Sequence, residues 1–271
     1  MQAALAAPPA VEFEGVSLGF DGKTVLKNIS FRLEPGETKI VLGASGSGKS
    51  VLLKLTMGLL QPDGGRIFVL GEELTGRSEE DLFPIRQKIG MVFQEGALFD
   101  SLTVGENVGY AFGRMPEVAP EEADRRVREV LRFVELEHTL ELYPSELSGG
   151  MRRRVAIARA MVSSPQIMLY DSPTAGLDPI TAQRIVALVI KQRDLSGVSS
   201  LLVTHRLQDA FEMASFYYDA AIGKLMPAGA GAQGHDTRTR FLVLREGEIA
   251  FHGVLQELIA QPDPYLQKFL A

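Results

Sequence analysis

The chain has 271 residues, of which 45% are hydrophobic and 23% charged, and no cysteine. A chain of this size buries enough surface to fold without covalent staples, and the missing thiols exclude a disulfide framework, a thiolate metal site and a cysteine nucleophile. With 28 Lys+Arg against 34 Asp+Glu the net charge is −6, which argues against a broad nucleic-acid surface and leaves room for a local basic pocket.

The first residues, MQAALAAPPAVEFE, carry no basic segment ahead of an apolar run and are not expected to act as a secretory signal. From 11 to 42 apolar and polar residues alternate (Val11, Phe13, Val16, then Ile29, Phe31, Leu33), which predicts short strands with turns at Asp21-Gly22 and Pro35-Gly36. The run from Thr38 to Leu42 reads as a buried strand, and the apolar spacing from Lys49 to Leu59 as a helix that Pro62-Asp-Gly-Gly65 closes. The longest nearly apolar stretch, Val51 to Leu60, is broken by Lys54 and falls short of the ~18–20 residues of a membrane span.

Between Gln94 and Leu147 the pattern becomes helical. Pro120-Glu-Glu-Ala opens one helix with acidic residues where the dipole favours them, and Val127, Val130, Leu131 and Val134 form its apolar stripe. Ile167 to Tyr170 and Ser200 to Val203 follow as buried strands around an amphipathic helix from about 180 to 195, so a parallel sheet with covered faces is expected. The Pro/Gly/Ala-rich segment at 227–234 predicts a flexible loop, followed by a hairpin from Phe241 and a short helix from Pro264 to Leu270.

Gly43-Ala-Ser45-Gly46-Ser47-Gly48-Lys49-Ser50 fits the pattern G-x-x-x-x-G-K-[S/T] between a predicted strand and a predicted helix, the context a phosphate loop needs. Glycines let backbone N–H groups turn inward around phosphate oxygens and the helix N-terminus adds its positive end. Lys49 reaches the β/γ-phosphates and Ser50 offers a hydroxyl to Mg²⁺. Asp171 ends the strand run from Ile167, at the sheet edge where ligands bind and where a P-loop ATPase holds its metal. Ser148-Gly149-Gly150-Met151 precede a basic helix and form a second anion-binding helix start, so the chain carries two half-sites for phosphate.

With these motifs in order, the sequence resembles the ATP-binding subunit of ABC (ATP-binding cassette) transporters along nearly its whole length. Gln94 sits at the Q-loop, Leu147 to Met151 match the signature, Tyr170-Asp171 close the Walker B strand, Ala175 to Asp178 match the D-loop and His205 matches the switch histidine. The resemblance implies an α/β P-loop NTPase of one domain over 11–271, with a RecA-like core, an antiparallel β subdomain and a helical subdomain at about 95–160. It also implies a head-to-tail homodimer in which the loop from Gly43 to Val51 of one copy and the signature of the other sandwich ATP and Mg²⁺. Phe20 would stack on adenine, Ser50, Gln94 and Asp171 would hold the metal, and His205 would contact the γ-phosphate. The stretch Phe93 to Asn107 and the ending Asp263 to Leu270 are similar to the ATPases of MCE-type (Mla) lipid transport systems. That implies a multi-span permease and an MCE-type lipid-binding protein as partners, at the cytoplasmic face of the inner membrane.

The pattern breaks at three points. Ser172 stands where the family has the glutamate that acts as general base or positions the attacking water, and a serine hydroxyl has no useful basicity near neutral pH. The segment 223–239 is longer than usual between the last strands, and Arg206 follows the histidine where an acidic residue is common.

Overall fold

The computed structural model describes residues 7–228 and 237–270, with side chains to 267 at the C-terminal end. In chain order the first half comprises β1 (Val11–Phe20), β2 (Lys23–Leu33), β3 (Thr38–Gly43), α1 (Lys49–Thr56), β4 (Gly64–Val69), β5 (Glu72–Glu73), α2 (Glu79–Arg86), β6 (Ile89–Val92), α3 (Val104–Gly109) and α4 (Pro120–Phe133). The second comprises α5 (Gly149–Met161), β7 (Ile167–Asp171), α6 (Pro179–Ser196), β8 (Ser199–Val203), α7 (Leu207–Ser215), β9 (Phe216–Asp219), β10 (Lys224–Pro227), β11 (Thr239–Arg245), β12 (Glu248–Gly253), α8 (Leu255–Ile259) and α9 (Pro264–Leu270).

The alternation of β1 and β2 becomes one antiparallel pair, with Val11 opposite Leu33, Phe13 opposite Phe31 and Val16 opposite Ile29. The rings of Phe13 and Phe31 stack at 4.7 Å. At the turn Asp21 and Gly22 both have positive φ, 50° and 76°, the sense that matches strand twist. Strands β4 and β5 complete this sheet in the order β2-β1-β4-β5.

The second sheet runs β12-β11-β3-β8-β7-β6 and is parallel except at the edge strand β12. Its inner strands β3, β7 and β8 are buried on successive residues because both faces are covered. In β3, Val41 packs into the cluster beneath the antiparallel sheet, while Ile40 and Leu42 face the cluster shared with α4, α5 and α6. A parallel sheet aligns its strands' C-terminal ends on one edge, and the loops after β3, β6, β7 and β8 leave from it.

The helical region between β6 and β7 contains α3, α4 and α5, as the change in periodicity predicts. The long segment 223–239 contains a strand that its composition does not announce. It begins as β10, paired antiparallel with β9, and this ribbon is held to α6 where the Tyr218 amide donates to Asp194 at 2.7 Å. Residues 229–236, most of the Pro/Gly/Ala-rich run, lie outside the described residues.

Candidate functional site: a nucleotide cleft and an adjoining groove

Strand β3 is buried throughout and delivers the chain to the sheet edge at Gly43. A Cβ there, at φ 154°, would come within 2.6 Å of Ser47 Oγ and 2.7 Å of the Leu244 carbonyl, and at Gly48, φ 96°, within 2.6 Å of Leu26 Cδ2. Only glycine lets the loop close on itself while β2 lies against it. Helix α1 then starts with no side chain capping it, so its first N–H groups face the loop unpaired by side chains, the arrangement that receives an anion. Lys49 curls back over the loop, donating to the carbonyls of Gly43 at 2.9 Å and Ala44 at 2.8 Å. Burial holds its pKa below that of an ordinary lysine, and the Asp171 carboxylate opposes this.

A cleft of about 640 Å³ brings together Gly43, Ser45, Gly46, Gly48, Lys49, Ser50 and Val51 with Gln94, Asp171, Ser172 and His205. Each of the last four sits at or just past the end of a parallel strand: Gln94 after β6, Asp171 and Ser172 at β7, His205 after β8. Pairing of Asp171 with Val203 brings β7 and β8 to the edge in step. Ser172 continues it, its amide donating to the Val203 carbonyl at 2.8 Å. It is buried with φ 47°, and its hydroxyl lies 3.5 Å from Asp171 Oδ1. Ser47 lines an adjoining cavity on the loop and its buried Oγ has no hydrogen-bond partner among the described residues.

These groups fit a polyphosphate with a divalent cation. The N–H groups of an uncapped helix start and a lysine ammonium are hydrogen-bond donors to an anion. Asp171, Ser50 and Gln94 are the hard oxygen ligands that Mg²⁺ takes sparingly beside phosphate oxygens. Among the described residues no group of three or more His, Asp or Glu is placed to hold a metal alone.

Other predicted residues lie elsewhere. Phe20 ends β1 across the turn from Lys23, is 44% exposed and does not line the cleft. Val25, on the next strand, lines it instead, with Ala44 and Val203. No pattern in the sequence marks Val25, which reaches the loop only because the antiparallel sheet folds over β3. The signature residues Ser148, Gly149, Gly150 and Met151 open α5 outside the cleft, where Ser148 Oγ accepts from the Met151 amide at 3.3 Å. Ser148 and Gly149 are exposed. Asp178 caps α6, accepting from the Thr181 amide at 3.0 Å, and hydrogen bonding by Thr181 lowers its pKa. One chain thus carries both phosphate-binding elements without bringing them together.

Beside Gln94 lies a second groove, about 560 Å³, between α2, β6 and the helical region. Phe83, Phe93, Phe99 and Tyr110 on its wall are each at least 40% exposed, and Arg86, Arg114 and Arg159 rim it. So many exposed aromatics on one wall mark an interaction surface. Among the described residues no helix is long and apolar enough to cross a membrane.

Strand, glycine loop and helix, with an aspartate at the end of β7, separated from β3 by β8, define a P-loop nucleotide-binding cassette. The sequence profile of the family described as ABC transporter matches residues 26–175. Methionine import ATP-binding protein MetN of Bifidobacterium longum is 36% identical over 80% of this chain, and the chain spans 54% of that relative's length. The intermembrane phospholipid transport system ATP-binding protein MlaF of Escherichia coli is 32% identical over 96% of this chain and 88% of its own. The dimeric post-hydrolysis structure of the ATP-binding cassette MJ0796 with ADP and Pi is 30% identical, covers 90% of this chain and 98% of its own, and superposes with a TM-score of 0.74. The chain belongs to the ABC transporter ATP-binding family.

Proposed function

We propose that this chain is the ATPase subunit of a lipid transport system of the MCE/Mla type, driven by ATP-dependent homodimerisation on the cytoplasmic face of the inner membrane. The carrying observation is the cleft in which the phosphate loop meets Gln94, Asp171 and His205. There Lys49 and the amides of α1 take the phosphates, Ser50, Gln94 and Asp171 hold Mg²⁺, and His205 contacts the γ-phosphate. The exposed α5 start, with Ser148 to Met151, and Asp178 serve the nucleotide of the partner copy. Phe20 stacks on the base when that copy closes over it. The groove at Phe93 takes a cytoplasmic segment of a permease, and the lipid itself is carried by that permease and an MCE-type protein.

The lipid reading is supported by the extent of likeness to the phospholipid relative, which runs over 96% of this chain against 80% for the methionine-import one. Recovery of the chain from membranes with a multi-span permease and an MCE-type protein supports it. Recovery with a periplasmic solute-binding importer instead would overturn it in favour of the second reading, an importer ATPase for another solute. Ser172 adds that closed dimers are long-lived, because the carboxylate that activates water is missing.

A further inference from the structure

Helix α5 carries three consecutive arginines whose partners differ. Arg152 donates to the Leu147 carbonyl at 2.6 Å and Arg154 to the Val134 carbonyl at 2.9 Å, both within the helical region. Arg153 leaves that region. Its Nη1 donates to the Phe93 carbonyl at 2.8 Å and its Nη2 to the Ala175 carbonyl at 3.3 Å. It is 6% exposed and, among the described residues, makes no ion pair. Glu95 is the carboxylate whose charge reaches it.

A buried cation without a direct ion pair depends on the carbonyls that solvate it, since leaving it unmatched costs several kcal/mol. The guanidinium is also planar with donors in a fixed fork, so one Arg153 sets the spacing of its two acceptors. Those acceptors belong to different functional parts. Phe93 precedes Gln94, and its ring stands on the wall of the groove. Ala175 opens the turn that leads to Asp178 at the start of α6.

We propose that Arg153 is a positioning residue that makes the groove and the 175–178 turn move as one unit, so that a partner in the groove is felt at the face where two cassettes meet. The proposal rests on the ATP-driven homodimer argued above. Neither Phe93 nor Ala175 contributes a side chain to the link, because both are held by backbone carbonyls.

The test measures ATP binding by calorimetry and ATP-dependent dimerisation by sedimentation, on the full chain. Arg153→Lys keeps the charge but not the fork, and Arg153→Gln keeps a donor without charge. Both are expected to bind ATP within about twofold of the unaltered chain, yet need about tenfold more ATP for half-dimerisation, roughly 1.4 kcal/mol. Arg154→Lys, one residue away and bonded only within the helical region, is expected to dimerise normally. The proposal is overturned if the Arg153 variants dimerise at the normal ATP concentration, if Arg154→Lys shifts equally, or if both Arg153 variants lose their folded baseline. An unaltered chain that binds ATP but stays monomeric overturns the dimer reading itself, and the proposal with it. A chain that binds no ATP overturns the nucleotide reading first.

Discussion

Two side chains in the cleft carry opposite predictions. Lys49 is held by burial against two loop carbonyls, from which a triphosphate would take its ammonium. Hydrogen bonds to charged groups contribute about 1.5–3 kcal/mol each. Lys49→Ala should therefore weaken ATP binding on the order of 100-fold in an equilibrium titration while the melting temperature stays close to normal. Ser172 is the reverse case, since on the proposed function a carboxylate at its position would supply the group that activates water. Losing a proton-transfer group typically costs 10²–10⁴-fold, so Ser172→Glu should raise steady-state phosphate release by about 10²–10⁴-fold. Equal rates would mean that position 172 does not limit turnover. Lys49, Asp171 and His205 were legible in the sequence because each sits at a fixed offset from a buried strand that the sequence also marks. Val25 was not, because a long-range fold of one sheet over another leaves no local pattern.

At the scale of elements, the stripe of α4 and its acidic first turn were readable because helix periodicity and the dipole act within one segment. The helix's exposed pairs, such as Arg125 with Glu122 and Glu129, contribute little, because water screens them and holding two long side chains in place costs entropy. The loop that leads into α3 depends instead on Asn107, whose side chain is fully buried. Its Oδ1 accepts from the Phe99 amide at 2.8 Å, and its Nδ2 lies within 3.0 Å of the carbonyls of Phe99, Leu102 and Thr103. Asn107→Leu leaves these groups unmatched and should cost about 1–3 kcal/mol in urea unfolding for each one that water cannot reach. Phe99 and Tyr110, whose rings lie 4.6 Å apart on the groove wall, should shift with it, so recovery of the membrane partner should fall even where the variant remains folded. The sequence placed Asn107 in a stretch that resembles MCE-type ATPases without indicating that it would be a buried hub. Likewise, β10 was hidden in a segment whose composition reads as loop, because its pairing with β9 is set by the anchor at Asp194.

Across the whole molecule, the parallel register sets Lys39 of β3 beside Arg240 of β11. Lys39, almost fully buried, pairs with Glu37 at 2.6 Å and donates to His252 Nε2 of β12 at 2.8 Å. Desolvation and then the Lys39 ammonium hold His252 below its ordinary value of 6.5, with Glu37 opposing and Arg240 reinforcing. The unfolded chain therefore binds that proton more readily than the folded one. This contribution to stability is intact above about pH 6.5 and is lost as pH falls from there towards the folded value. Thermal unfolding followed between pH 7.5 and 5.5 should show a falling melting temperature, and His252→Gln should flatten that slope. An unchanged slope would remove His252 from the account.

What the sequence determined by itself was the class of site: a phosphate loop between a buried strand and a helix, an aspartate at a strand end, and a second glycine-led helix start. Local spacing specifies these because strand and helix periods act over a few residues. Which groups share a cleft was decided by the tertiary structure, as was the exclusion of Phe20 and the signature from it. So was the link from Phe93 through Arg153 to Ala175. These depend on the order of strands in the sheet and on a buried charge that must find acceptors, constraints that act between segments far apart in the chain.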